Sequence, residues 1–214
     1  MSQFFQIHPE NPQTRLIKRA AELIREGAVV VYPTDSAYAL GCHLGDRKAL
    51  DRIMQLRAVD KHHNFTLMCR DLSELGTYAK VDNSMFRLLK ANTPGAYTFV
   101  LPGTSEVPKR LLHEKRKSIG LRIPANRIAL DLLAELNEPL LTSTLILAGE
   151  TEPLNEPYDI RDRLEHQVDL IIDGGYCGLE PTTVVDLRDE VPVILREGAG
   201  SVAALGFNKS KRYA

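Results

Sequence analysis

The 214-residue chain is predicted to adopt an α/β fold, a sheet with helices packed against it. Short β-branched runs alternate with stretches whose apolar residues recur every three or four positions, the periods of strand and helix. Ala28–Tyr32 (AVVVY) is apolar without alternation, which marks a strand covered on both faces. No repeat, linker or low-complexity stretch interrupts the pattern. Residues 1–206 are therefore expected to form one domain, and 207–214 a polar tail of the kind that orders poorly.

The elements follow in order. Phe4–Ile7 is a short apolar run suited to an edge strand. Asn11 and Pro12 supply an N-cap and a first-turn proline for a helix with Leu16, Ile17, Ala20, Leu23 and Ile24 on one face, closed by Gly27. The strand at 28–32 ends in Pro33-Thr34-Asp35-Ser36, a polar loop at its carboxyl end, where ligands of open α/β sheets sit. Arg47–Arg57 carries Leu50, Ile53 and Met54 at helical spacing, and Phe65–Cys69 is a strand. Ser84 reads as the cap of a helix through Leu89, and Pro94-Gly95 as a turn into the strand Tyr97–Leu101. Ser118–Ile123 is a strand, Ile128–Leu136 a helix and Leu140–Leu147 a strand. Val168–Ile172, Thr183–Leu187 and Val191–Leu195 supply the last strands.

Apolar residues make up 43% and charged residues 26%, the balance of a globular protein able to bury a core. The formal net charge of −1 gives no global attraction to nucleic acid, so any such attraction must be local. The N-terminus (MSQFFQIHPENPQTR) lacks a basic start followed by a long apolar stretch, and every apolar run is far short of the roughly 20 residues that span a bilayer. Cys42, Cys69 and Cys177 are scattered, without a CxxC pair, as expected of a reducing compartment. The expected location is the cytoplasm, away from the membrane.

Several familiar chemistries are missing. There is no GxxxxGK[ST] phosphate loop and no GxSxG elbow. Gly174-Gly175-Tyr176-Cys177-Gly178 follows a strand, but Pro181 and another strand come next, so the segment is a turn and not a dinucleotide fingerprint. The six histidines show no metal spacing, no tightly bound metal is expected, and adjacent His62 and His63 read as a solvated loop.

Hydroxyl and cationic residues gather where predicted strands and helices end: Thr34, Arg57, Thr98, Arg122, Thr144, Thr182, Thr183 and Arg196. Taken singly, a strand threonine serves β-propensity and a strand-end arginine a surface pair. As a set, they are the donors that phosphate and carboxylate oxygens need. Between Ser105 and Arg122 the chain carries Lys109, Arg110, Lys115, Arg116, Lys117 and Arg122 against Glu106 and Glu114, a local net charge of +4. Lys209, Lys211 and Arg212 add to it in the tail. Such a stretch is either a solvated loop or a salt-sensitive surface for RNA.

The same residues resemble a known family. VVVYPTDSAYALGC (29–42) resembles the YPT(E/D)TxYGLG signature of YrdC-like proteins, and PGAYTFVL (94–101) their PGPxTxxL. GLRIP (120–124), TTVVD (182–186) and ILREG (194–198) resemble their GxRxP, STVVD and xxRxG, all in the same order. HNFTLMCRDLSEL (63–75) has the form of the YciO branch. The resemblance implies a single YrdC-like domain, an open twisted mixed sheet flanked by helices with a basic concave face. It implies ATP with magnesium as a substrate, RNA as a partner, and L-threonylcarbamoyladenylate synthesis from L-threonine, bicarbonate and ATP, in the service of tRNA modification. It places Thr34, Thr98 and Thr182 on threonine and Arg57, Asn64, Thr144 and Arg196 on the nucleotide, with Arg57 and Thr144 also catalytic. Adenylation of this kind needs no protein nucleophile: a carboxylate attacks the α-phosphate, pyrophosphate leaves, and the protein supplies position and positive charge.

The sequence also departs from the synthase pattern. Their KxR pair aligns with Gln55 and Arg57, so the lysine is lost. Their SxN pair aligns with Thr144 and Ile146, so the asparagine is lost, and a threonine-side histidine aligns with Cys69. Removing one preorganised charge stabiliser costs about 10²–10³ in rate. The alternative to weak or altered synthesis is a non-catalytic module binding double-stranded, transfer or ribosomal RNA.

Overall fold

Each face of the sheet is determined by the two-residue period of its strands. The computed structural model describes residues 1–60 and 63–206. Among these, ten strands form one mixed sheet: β1 (Gln3–Gln6), β2 (Val30–Tyr32), β3 (Ala39–His43), β4 (Thr66–Met68), β5 (Tyr97–Pro102), β6 (Ser118–Arg122), β7 (Leu140–Thr144), β8 (Leu170–Asp173), β9 (Thr183–Asp186) and β10 (Val193–Arg196). Their spatial order is β1-β8-β2-β3-β7-β4-β6-β5-β9-β10. The pairs β1·β8, β8·β2, β4·β6 and β5·β9 are parallel and the other five antiparallel. This is the open mixed sheet flanked by helices that the sequence predicts.

Among the described residues six α-helices pack on the sheet: α1 (Thr14–Arg25), α2 (Arg47–Arg57), α3 (Leu72–Tyr78), α4 (Asn83–Asn92), α5 (Arg127–Leu136) and α6 (Pro157–Leu164). Ile17, Ala20 and Ile24 of α1 and Ile128, Leu132 and Leu133 of α5 bury one face of β2 and β8, through Val30, Tyr32, Leu170 and Ile172. Val29, Val31, Leu40, Cys42, Leu67, Leu121, Phe99 and Leu141 face the other way into a larger core, with Leu50 and Ile53 of α2 and Ile160 and Leu164 of α6. Burial of β2 on both faces explains its unbroken apolar run. Among the described residues no helix is long and apolar enough to cross a membrane.

Several boundaries differ from expectation. Asn11 does not cap α1, whose N-cap is Gln13 with no side-chain bond, so Pro12 lies outside the first turn. Asp82, and not Ser84, caps α4, its carboxylate accepting from the Ser84 and Met85 amides. A carboxylate there also complements the positive end of the helix. Strand β3 and helices α3 and α6 have no counterpart in the sequence reading. The strand expected through Leu147 stops at Thr144, where the chain turns and the Ile146 amide bonds back to the Thr144 carbonyl. The tail 207–214, with Lys209, Lys211 and Arg212, lies outside the described residues.

Candidate functional site

The central strands carry two chemically different faces. On one, Leu141, Leu67, Leu121, Phe99 and Val185 stand in register from β7 to β9, all fully buried. On the other, Thr142, Thr66, Gly120 and Val100 stand in register. Two residues along that second face, Met68 and Leu140 are covered by the α1–α5 layer. Beyond that layer, Thr66, Thr98, Val100, Gly120, Thr142 and Val184 instead floor a cavity of about 400 Å³. Hydroxyl and small side chains on one face and large apolar ones on the other are what a sheet with a single open face requires. A side chain at Gly120 would crowd this floor, since a Cβ there would lie 2.9 Å from Thr66 Oγ1.

At one end of the cavity stands Arg57, the last residue of α2. Its Nη1 donates to Ser143 Oγ and to His63 Nε2 (2.7 Å), and its Nε donates to the Ile146 carbonyl (3.3 Å). Burial and the Arg57 charge push His63 down to about 4, so the ring is neutral at neutral pH and Nε2 is free to accept. The reading of His63 as a solvated loop residue is thereby corrected: it is half-buried, lines the cavity and packs edge-on against Phe65. His62 lies outside the described residues.

At the other end stands Arg196. Its Nε and Nη2 donate to the Thr182 carbonyl at 3.1 and 2.9 Å, and the Thr182 and Thr98 hydroxyls bond to each other at 2.8 Å. A β-bulge makes this possible: the β9–β10 register shifts between Ile194 and Arg196, so the consecutive Leu195 and Arg196 both line the cavity. Burial lowers the pKa of both Arg57 and Arg196, and the charge of Arg196 adds to the effect on Arg57. Two guanidinium groups with neutral partners thus act on each other across one hollow. Such an arrangement attracts an anion.

The remaining expected residues fall in three positions. Asn64 and Thr144 line the cavity. Thr34 lies beneath it: its hydroxyl donates to the Ala37 carbonyl (2.6 Å) and accepts from the Ser36 and Ala37 amides, fixing a loop through which Ser36 and Ala37 reach the cavity wall. Arg122, expected both among the strand-end donors and on the RNA surface, is 6% exposed, lines the cavity and pairs with Asp35 at 2.5 Å. Lys109, Arg110, Lys115, Arg116 and Lys117 are exposed. They cluster on a 3-10 turn (Lys109–Leu111) and the loop into β6, and Arg116 also lines the cavity. Arg188, held behind by Asp186, lines it too. Among the described residues the lining contains five arginines and no Asp or Glu.

Sequence reasoning overlooked Ser36, His63, Ser143 and Arg188. Two signals were present: His63 directly precedes Asn64, and Arg188 stands two residues after Asp186, a spacing that suits a local pair. Gln55 is exposed and outside the lining, Ile146 contributes to the wall, and Cys69 is fully buried with its thiol pushed well up by desolvation. Among the described residues no cluster of His, Cys, Asp or Glu is arranged to hold a metal ion.

Four similarities to known proteins bear on this cavity. The sequence profile of the Sua5–YciO–YrdC family, described as telomere recombination, matches residues 22–198. The crystal structure of Escherichia coli YciO superposes with a TM-score of 0.92 at 60% identity, covering 96% of this chain and 100% of that one. Threonylcarbamoyl-AMP synthase of Pyrococcus abyssi is 31% identical over 185 residues, 85% of this chain but 54% of the enzyme. The P. abyssi Sua5 structure complexed with L-threonine superposes with a TM-score of 0.84 at 28% identity, over 92% of this chain and 58% of that one. The chain thus spans little more than half of the P. abyssi protein.

Proposed function

The chain belongs to the Sua5–YciO–YrdC family, and on that footing we propose that it binds an ATP-type nucleotide in the cavity and RNA on the basic segment beside it. The observation that carries this reading is the convergence of Arg57 and Arg196 on one hollow with no lining carboxylate among the described residues. Guanidinium groups held by neutral partners keep their charge available for phosphate oxygens. Thr98, Thr182 and the loop fixed by Thr34 support an amino-acid subsite next to it, with L-threonine as the first candidate, given its complex with P. abyssi Sua5. Magnesium would arrive with the nucleotide, since the lining among the described residues offers it no carboxylate. The setting is the cytoplasm.

The same geometry supports L-threonylcarbamoyladenylate synthesis of low efficiency, from threonine, bicarbonate and ATP, in the service of tRNA modification. Arg57 would stabilise the negative charge that develops as carboxylate oxygen displaces pyrophosphate at the α-phosphate, with Thr144 and Asn64 beside it. Ile146, where the synthases carry asparagine, places an apolar side chain in that wall, and Gln55 offers no cation there. Those two positions favour a second reading, an RNA-binding module without turnover.

Pyrophosphate release from ATP separates the two. Release that requires both threonine and bicarbonate and falls at least about 10²-fold in Arg57→Ala supports the enzyme. No release alongside salt-sensitive RNA retention supports the module.

A further inference from the structure

His63 opens the segment 63–75 without an assigned role, yet its Nε2 lies 2.7 Å from Arg57 Nη1 and 3.3 Å from Ser143 Oγ on the wall of the cavity. Resting on the nucleotide reading above, we propose that His63 is the proton-linked member of the phosphate site. While neutral, it orients the Arg57 guanidinium by accepting its N–H. Once protonated, it becomes a second cation on a phosphate that Arg57 engages.

The groups around the ring support both states. Arg57 on α2 donates to Nε2, and Ser143 on β7 shares the same nitrogen. Phe65, leading into β4, packs edge-on with ring centroids 4.9 Å apart and helps to bury the ring. Asp60 favours the protonated ring, while burial and Arg57 disfavour it, and Arg196 acts from across the cavity on Arg57. With no anion present, a proton on Nε2 would set two donors and two positive charges face to face, so the neutral ring prevails. A phosphoryl group between Arg57 and His63 reverses that balance, because its charge offsets the repulsion and its oxygens accept from both. The site would then take up a proton as it binds. That second cation stands in for the one that exposed Gln55 does not supply.

Titration calorimetry with inorganic pyrophosphate, in buffers of different ionisation enthalpy, tests the proposal on wild type and His63→Gln. Glutamine can still accept from Arg57 but cannot titrate, so proton exchange by the ligand itself is common to both proteins. Wild type should take up more protons than the variant near pH 6.5, and its affinity should strengthen about tenfold more between about pH 7.5 and pH 5.5. Equal uptake and equal pH dependence in the two proteins would overturn the proposal while leaving the cavity reading intact. Absence of pyrophosphate binding by wild type at every pH would remove both. Histidine Cε1–H resonances of wild type give a reading that does not depend on the variant folding. The lowest histidine midpoint should rise by at least about two units with pyrophosphate, a hundredfold change in its proton affinity, and no such movement would contradict the inference.

Discussion

Asp35, in the loop that shapes the cavity wall, and Arg122 form an ion pair with side chains 10% and 7% exposed. Removing one partner strands the other charge, so Asp35→Ala should cost about 3–5 kcal/mol in chemical denaturation. His63 makes a different prediction. Its folded-state pKa lies below the ordinary value of 6.5, at about 4, so the unfolded chain binds the proton more readily between those values. Its contribution to stability is full above pH 6.5 and declines as pH falls towards 4. The urea midpoint should drop across that window in wild type and less in His63→Gln. Neither role is legible in the sequence. Arg122 reads both as a strand-end donor and as part of the basic stretch, and nothing in either reading shows Asp35 paired with it. His63 beside His62 looks like loop, and only the fold brings Arg57, 86 positions before Ser143, to the same spot.

At the scale of the elements, the parts with strong periodicity were legible and those without were not. Helix α2 runs over Arg47–Arg57 as expected, because Asp46 caps it and Leu50 and Ile53 share a buried face. Strand β3 (ALGCH) has no β-branched residue, and its place beside β2 and β7 is decided by packing, which overrides its poor propensity. Helices α3 and α6 are seven and eight residues long, too short to repeat a helical pattern. The β9–β10 bulge was also invisible, yet it aims Arg196. Gly198 closes that pair: its amide donates to Thr183 Oγ1 at 2.9 Å, and a Cβ there would sit 2.8 Å from the Thr182 carbonyl oxygen. Gly198→Ala should therefore cost about 1–3 kcal/mol through overpacking. It should also weaken ATP binding by shifting Arg196 from Thr182, measurable by equilibrium dialysis beside a thermal melt.

For the whole molecule, the fold explains how a nearly neutral protein concentrates positive charge. The α1–α5 layer covers one part of a sheet face, and the uncovered part collects five arginines from α2, β6, β10 and the loops around them. The exposed Lys109–Lys117 segment adjoins this hollow through Arg116. Neutralising Lys115, Arg116 and Lys117 together should lower the salt dependence of RNA binding by about one unit for each phosphate left without its cation, without altering thermal stability. The family's motifs marked residues that meet at the cavity, since each of the five contributes to the lining, through Ser36, Thr98, Arg122, Thr182 and Arg196. What they could not convey was which donors are spent on the protein itself, as Thr34 is on its own loop and Arg122 on Asp35.

The central claim is that Arg57 and Arg196 together form the nucleotide's anion site. Calorimetric titration of magnesium-ATP into wild type, Arg57→Ala and Arg196→Ala tests it most directly. A charge-assisted hydrogen bond to phosphate is worth about 1.5–3 kcal/mol, so each variant should bind roughly 10- to 100-fold more weakly while remaining folded. Wild-type affinity for ATP in both folded variants would contradict the account.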